Sequence, residues 1–315
     1  MTAKLPVLIL AGPTGAGKSD WALRLAAQAP VEIVSVDSAM VYRGLDIGTA
    51  KPAREVRASI PHHLIDICDP GESYSAGRFV ADAMEVIRDI HRRRRVPLLV
   101  GGTMLYLRSL LTGLAPLPPA MPALREEIDA RAAREGWAVL HGELARLDPE
   151  AAERIAPNDA QRIQRALEVC QGTGRPISQL QRPTSPPLID YPRRYWILAP
   201  GDRAVLHERL AGRFANMMAA GLLDEVAALH GRGDLTARHT AMRAVGYRQL
   251  WAHLCGEYGL DEAVRRAVAA TRQLARRQLT WLRGEAEAHW IDPDSGEAEL
   301  SWNKDICQKL AGVGL

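Results

Sequence analysis

The chain has 315 residues, 47% of them apolar, and a formal net charge of +3, more than one small domain requires and enough for a large core. No charged start leads into an apolar stretch with a small-residue cleavage site, and no window approaches about 18 uninterrupted apolar residues, so neither export nor a membrane span is expected. Cys68, Cys170, Cys255 and Cys307 lie far apart with no C-x2-C pair, which argues against a zinc site or a disulfide framework and for free thiols in the cytoplasm.

Val7-Leu8-Ile9-Leu10 reads as a first strand and runs into Gly12-Pro13-Thr14-Gly15-Ala16-Gly17-Lys18-Ser19. This is the G-x4-G-K-[ST] phosphate loop in its required setting, with a helix expected near Asp20–Gln28. The glycines let successive backbone N–H groups turn inward around a diphosphate, and the helix aims the positive end of its dipole at the same charge. Lys18 adds a point charge and Ser19 a hydroxyl suited to Mg2+. The motif specifies a pyrophosphate group, not ATP.

Glu32–Asp37 reads as the second strand, with Asp37 at its carboxyl end, where ligands of parallel sheets collect. There it serves as a base or a metal-shell ligand, or, more plainly, as a turn or cap carboxylate. His63–Ile67 reads as the third strand; Asp66 and Asp69 around it are either supports for the metal or turn residues. His62 and His63 are adjacent, without the i, i+4 spacing of a metal pair, and are assigned to structure. A helix over Ala76–Arg94 ends in Arg92-Arg93-Arg94-Arg95, cations that complement its dipole. Pro97–Val100 is the fourth strand, and Gly101-Gly102-Thr103 after it permits close ligand approach and offers a hydroxyl.

Pro116, Pro118, Pro119 and Pro122 then break the pattern. Met121–Leu180 reads as helix only and closes with a second break, Arg182-Pro183-Thr184-Ser185-Pro186-Pro187. Tyr195–Ala199 is a fifth strand, followed by helices to about Trp281. The expected fold is therefore α/β, a P-loop NTPase-like parallel sheet flanked by helices with an all-helical insertion. Residues 1–115 form the first part of the core, 116–190 the insertion, and 191–315 the continuation of the core with basic helices and an acidic tail.

Charge is uneven: nine Arg face three acids from Arg238 to Arg283, and beyond Arg283 seven acids face two Lys. Arg outnumbers Lys by 35 to five, yet Lys18 and Lys51 both sit in motifs, which suggests that a compact ammonium is needed there. In the insertion, Asn158 is expected to cap a helix with Gln161 closing the box, while Ile163, Ala166, Leu167 and Cys170 form its buried stripe. Gln161, Arg162 and Arg165 are left outward. In Val264–Arg283, Arg265, Arg272, Arg276 and Arg283 fall within about 40° of one another, opposite Val264, Thr271, Leu274, Gln278 and Leu282. No acid interleaves with them, so a solvated face and a phosphate-backbone contact both explain the stripe.

The phosphate loop, Val36-Asp37-Ser38-Ala39-Met40-Val41-Tyr42-Arg43-Gly44-Leu45-Asp46-Ile47-Gly48-Thr49-Ala50-Lys51-Pro52, His63-Leu64-Ile65-Asp66, Gly101-Gly102-Thr103-Met104-Leu105-Tyr106, Arg162–Val169, Val245-Gly246-Tyr247-Arg248-Gln249 and Arg276–Arg283 together resemble the bacterial tRNA dimethylallyltransferases (tRNA isopentenyltransferases). The resemblance runs from the start of the chain to about Arg283. It implies transfer of a dimethylallyl group from dimethylallyl diphosphate to N6 of the adenosine on the 3′ side of the anticodon, in tRNAs reading codons that begin with U. It makes Asp37 the base for the amine, with Thr103 and Arg213 beside the diphosphate or the reacting atoms, and Mg2+ held by Ser19 as cofactor.

An adenine stacked in an anticodon loop is unreachable, so the base must be flipped out. The resemblance assigns contacts with the anticodon stem-loop to Asp37, Ser38, Ala39, Met40, Thr103 and Arg125. It adds Gln161, Arg162, Ile163, Gln164 and Arg165, then Arg243, Ala244, Val245, Gly246, Tyr247 and Arg248, and finally Arg276, Arg277, Gln278, Leu279, Thr280, Trp281, Leu282 and Arg283. One chain suffices to grip one stem-loop, so a cytoplasmic monomer is expected. The zinc finger of eukaryotic members has no counterpart, and the tail Glu285–Leu315 fits no motif. Rival readings are a P-loop small-molecule kinase, which consumes ATP, an adenylate isopentenyltransferase, which needs no RNA-gripping insertion, and a non-catalytic RNA-binding module, which needs no Asp37.

Overall fold

The computed structural model describes residues 5–181 and 191–311; the proline-rich break at Arg182–Pro187 and the end of the insertion at residue 190 lie outside the described residues. The chain divides into two units, Met1–Leu107 with Asp190–Leu315, and Arg108–Ile189. The first change of unit thus falls inside a helix, earlier than the prolines suggest.

The larger unit is built on β1 (Val7–Ala11), β2 (Val31–Val36), β3 (His62–His63), β4 (Val96–Gly101), β5 (Arg193–Leu198) and β6 (His289–Ile291), in the order β3-β2-β4-β1-β5-β6, every pair parallel. β1 and β2 are buried along their whole length, the continuous apolar pattern of strands covered on both faces. Its helices in the first half are α1 (Lys18–Ala26), α2 (Arg54–Ser59), α3 (Ala76–Arg92) and α4 (Met104–Thr112), which carries over into the second unit. That second unit is helical among its described residues: α5 (Pro122–Glu135), α6 (Trp137–Leu147), α7 (Pro149–Arg154), α8 (Ala160–Thr173) and α9 (Ile177–Leu180). The first unit resumes with β5 and continues through α10 (Arg203–Ala219), α11 (Leu222–His230), α12 (Tyr247–Leu254), α13 (Leu260–Leu282), β6 and α14 (Ala298–Ala311).

Ala11, Val36 and Gly101, the last residues of three neighbouring strands, stand in register. The segments that follow them, at Gly12, Asp37 and Gly102, therefore leave the sheet side by side. β1 lies between β4 and β5, so the phosphate loop opens where the winding of the sheet reverses, the usual crevice for ligands.

One expectation changes, and the acidic tail, which fits no motif, acquires a place in the fold. The third strand is only two residues long, because Leu64 and Asp66 take left-handed conformations (φ 62° and 58°) and carry the chain away from the sheet; Ile67 and Cys68 instead donate to the Val41 carbonyl. The acidic tail is part of the core. β6 extends the sheet beside β5, and Trp302, Ile306 and Leu310 of α14 are buried with Trp21, Leu25 and Trp196.

In the helical unit, Ile128, Leu140, Leu144, Ile163, Ala166 and Leu167 share one core. Asp159, not Asn158, caps α8, its carboxylate accepting from the Arg162 N–H at 3.2 Å. Glu168 is fully buried and accepts from Arg125, Arg165 and the Met121 N–H. Burial works against its charge, but these donors outweigh it and hold the carboxyl below its ordinary value.

Candidate active site and candidate nucleic-acid interface

The phosphate loop forms because only glycine fits where it turns. Gly15 and Gly17 have φ of 79° and 85°, and a Cβ on Gly12 would collide with the Leu198 carbonyl at the end of β5. Gly17 caps α1 without a side chain. Among the described residues no hydrogen bond engages the N–H of Gly15, Gly17, Lys18 or Ser19, which leaves these donors for an anion at the helix N-terminus. Lys18 Nζ donates to the Pro13 carbonyl at 2.7 Å. Burial first, and the Arg213 cation second, bring its pKa down to about 8, with Asp37 pulling the other way.

Asp37 follows β2. Its Oδ1 accepts from the N–H of Ala39 (2.8 Å) and of Met40 (3.1 Å), while Oδ2 has no partner among the described residues. The turn and the open oxygen coexist: one edge of the carboxylate fixes its direction and the other is left to act. Thr103 is tied to the same segment, its N–H donating to the Val36 carbonyl at 3.2 Å and its Oγ1 accepting from the Ser38 N–H at 3.0 Å. Arg213 of α10 is within electrostatic reach of both Asp37 and Lys18. Burial lowers its pKa and Asp37 opposes that. The structure thus brings the loop, Asp37, Thr103 and Arg213 together, with Asp20 also within electrostatic reach of Arg213.

Other candidates are committed elsewhere. Asp66 pairs with Lys51 at 2.6 Å and Arg57 at 2.7 Å, and Asp69 with Arg232 at 3.0 Å, so neither is open to a metal. His63 bonds to buried Glu32, which also holds Arg93 and Arg95; the histidine and the arginine run are structural. Among the described residues, no group of three or more His, Cys, Asp or Glu gathers as for a metal ion.

The segments assigned to RNA divide by exposure. Arg243, Arg248, Arg276, Arg277, Thr280, Trp281 and Arg283 are exposed, as are Gln161 and Arg162 on α8. Ile163, Gly246, Tyr247 and Leu282 are buried, and half-buried Leu279 packs on Leu206, Leu210 and Ala275. Tyr247 donates its hydroxyl to Glu225 at 2.5 Å, and Glu225 also takes the N–H groups of Asp46, Ile47 and Gly48. Gln164 bonds to Asp129, and Arg125 and Arg165 face Glu168. Ala244 and Val245 are half-buried.

On α13 the stripe is shorter than its periodicity implies, because Glu262 one turn earlier pairs with Arg265 and Arg266. No ion pair engages Arg272, Arg276, Arg277 or Arg283 among the described residues. Gln273, Arg276, Arg277, Thr280 and Trp281 line a cleft of about 400 Å³. Gln278 turns inward. It accepts from the Thr14 N–H at 2.9 Å and donates to the Gly102 carbonyl at 2.8 Å. Its place opposite the arginines was visible in the helical periodicity; its partners were not.

Comparison with known proteins gives a consistent family. The model of the family described as IPP transferase matches residues 40–285. A tRNA dimethylallyltransferase of Bordetella petrii is 55% identical over 300 residues, covering 95% of this chain and 96% of the relative. One of Methylococcus capsulatus is 56% identical over 287 residues, covering 91% and 92%. Among solved structures, a full-length tRNA isopentenylpyrophosphate transferase of Bacillus halodurans is similar with TM-score 0.71 and 36% identity, over 99% of this chain and 98% of that one. A eukaryotic dimethylallyltransferase described as acting on tRNA aligns with TM-score 0.77 and 26% identity, over 95% and 77%.

Proposed function

The chain belongs to the IPP transferase family, and on that premise we propose that it moves the dimethylallyl group of dimethylallyl diphosphate to N6 of the adenosine on the 3′ side of the anticodon, in tRNAs reading U-initial codons, releasing diphosphate. The observation that carries the reading is the convergence, at the carboxyl ends of neighbouring strands, of a diphosphate cradle and a carboxylate with one oxygen free, Asp37 Oδ2.

The exocyclic amine of adenine is a weak nucleophile, since its lone pair is delocalised into the ring. Asp37 Oδ2 accepts its proton as the amine nitrogen attacks the allylic carbon and the bond from that carbon to the diphosphate oxygen breaks. The electron pair of that bond leaves on the diphosphate. Lys18, the open loop amides and Arg213 meet this charge where it develops, and Thr103 Oγ1, already aligned by the Ser38 N–H, lies at the same strand ends.

The donor set also fits Mg2+. Ser19 Oγ is an exposed hard oxygen at the first turn of α1, and this ion is usually held by one or two protein oxygens with substrate phosphate and water rather than by a protein cage. Ser19 would hold it, and it would neutralise part of the leaving group's charge. The exposed side chains of α8, α12 and α13 are the RNA contacts in this reading. No helix among the described residues is long and apolar enough to cross a membrane.

The test is incubation of the chain with Mg2+, labelled dimethylallyl diphosphate and unmodified tRNA, beside Asp37→Asn and an ATP control. Label is expected in tRNA. Asparagine keeps the oxygen that accepts from Ala39 and Met40 but takes no proton, so kcat is expected to fall by about 10²–10⁴ with pyrophosphate affinity retained. Consumption of ATP with a small acceptor, and unlabelled tRNA, would replace this reading with a kinase.

A further inference from the structure

Gln278 has a geometry that an RNA contact does not explain. It faces inward from α13, and its one planar amide spans two loops: Oε1 takes the Thr14 N–H of the phosphate loop and Nε2 gives to the Gly102 carbonyl, the residue before Thr103. The fit is tight, since a Cβ on Gly102 would collide with Nε2. Beyond Gly102, Thr103 is bonded to Val36 and Ser38 on either side of Asp37. The same amide therefore stands at the junction of the diphosphate cradle and the segment of the base. Arg276 and Arg277, the two residues before it, are exposed and line the cleft with Trp281.

We propose that Gln278 is a positioning residue that couples the two substrates: RNA held on the outer side of α13 stabilises the placement of the amide, and the amide fixes Thr14 and Thr103 around the donor. The proposal rests on the functional reading above. Both bonds form only when α13 stands at one distance from both loops, so whatever favours that placement favours a preorganised donor site. By linkage the effect is reciprocal, and the donor strengthens RNA binding by the same factor.

The experiment measures equilibrium affinities of inorganic pyrophosphate with Mg2+ and of an unmodified tRNA anticodon stem-loop, each alone and in the presence of the other. Three proteins are compared: wild type, Gln278→Met, which keeps the length of the side chain without its bonds, and Gln278→Glu, which keeps an acceptor for Thr14 but no donor for Gly102. In the wild type each ligand is expected to bind about 5- to 20-fold tighter when the other is bound. In both variants the factor is expected to fall below about twofold, with stem-loop affinity alone reduced by no more than the lost coupling factor and kcat about tenfold lower or more, the loss expected for one or two hydrogen bonds. A variant that folds but merely packs less well would not separate coupling from affinity in this way. Full coupling retained in Gln278→Met, or independent binding of the two ligands by the wild type, overturns the inference while leaving the enzyme reading intact. Pyrophosphate binding without any stem-loop binding overturns the enzyme reading, and the coupling with it.

Discussion

Lys18 offers the most direct test of the diphosphate cradle, because its charge is poised near neutral pH. Burial and the nearby Arg213 cation set its pKa at about 8 in the free protein. If the anion requires the ammonium, affinity follows the protonated fraction, which goes from about nine-tenths at pH 7 to about one-tenth at pH 9, a tenfold loss. Lys18→Met has no charge at any pH, so its profile carries the ligand's own titration and serves as the baseline. At pH 7 it should bind pyrophosphate about 10- to 100-fold more weakly, the equivalent of about 1.5–3 kcal/mol for a hydrogen bond to a charged group. Calorimetry at fixed Mg2+ from about pH 6.5 to 9.5 should show the ratio of wild-type to Lys18→Met affinity falling with a midpoint near pH 8, and Arg213→Gln should move that midpoint upward. Without ligand the sign reverses. The unfolded chain keeps the Lys18 proton to its ordinary 10.5 while the folded chain releases it at about 8, so this residue favours folding increasingly as pH rises between those values. An affinity ratio that is flat across the range would refute the assignment of Lys18 as the counter-charge of the diphosphate.

Two further outcomes follow from the packing. Glu168→Gln removes the charge that Arg125 and Arg165 share in the helical unit and should destabilise it by about 3 kcal/mol, read as lost hydrogen-exchange protection in α5 and α8. Because the folded Glu168 carboxyl lies below its ordinary value, its contribution is present above the unfolded pKa and is lost as pH falls through the folded one, so wild type and variant should converge in acid. Trp302→Ala opens a cavity against Trp21 and Trp196, whose ring centroids lie 5.5 and 5.8 Å from that of Trp302. It should lower the stability of the whole chain by about 3–5 kcal/mol in denaturant unfolding; a change under about 1 kcal/mol would mean that Trp302 adds little to the core.

What the sequence disclosed depended on how far the relevant chemistry is local. The strand, phosphate loop and α1 were legible because the glycines, Lys18 and Ser19 act through backbone geometry within one short segment. His63–Ile67 misled because its apolar residues suit a strand, whereas the chain turns through left-handed Leu64 and Asp66 to deliver Asp66 to Lys51 and Arg57, ion pairs that apolar alternation does not register. The tail hid its role for a different reason: β6 is three residues long, and the acids around it drew attention from Trp302, Ile306 and Leu310, whose i, i+4, i+8 spacing marks one helical face. Gln278 could be assigned to the inner side of α13, but no pattern announces that its amide meets Thr14 and Gly102.

The two conspicuous lysines close the argument about cations. In a chain with 35 Arg and five Lys, Lys51 is almost wholly buried and its ammonium meets the Tyr42 carbonyl at 2.9 Å, Asp46 at 2.5 Å and Asp66 at 2.6 Å. A tetrahedral group with three donors satisfies three acceptors converging from different directions, and a planar guanidinium would leave part of its fork unpaired. Among the described residues the Lys18 ammonium donates only to the Pro13 carbonyl, so two of its donors are left for the anion of the proposed function. The arginines sort the other way. Arg272, Arg276, Arg277 and Arg283 are exposed on α13, where an extended fork suits the phosphates of a polymer that approaches from solvent. In the proposed function, the compact ammonium of Lys18 and the guanidinium groups on the outer helix are two answers to two anions, a small diphosphate enclosed by backbone and a nucleic acid met at the surface, with Gln278 as the hydrogen-bonded link proposed between them.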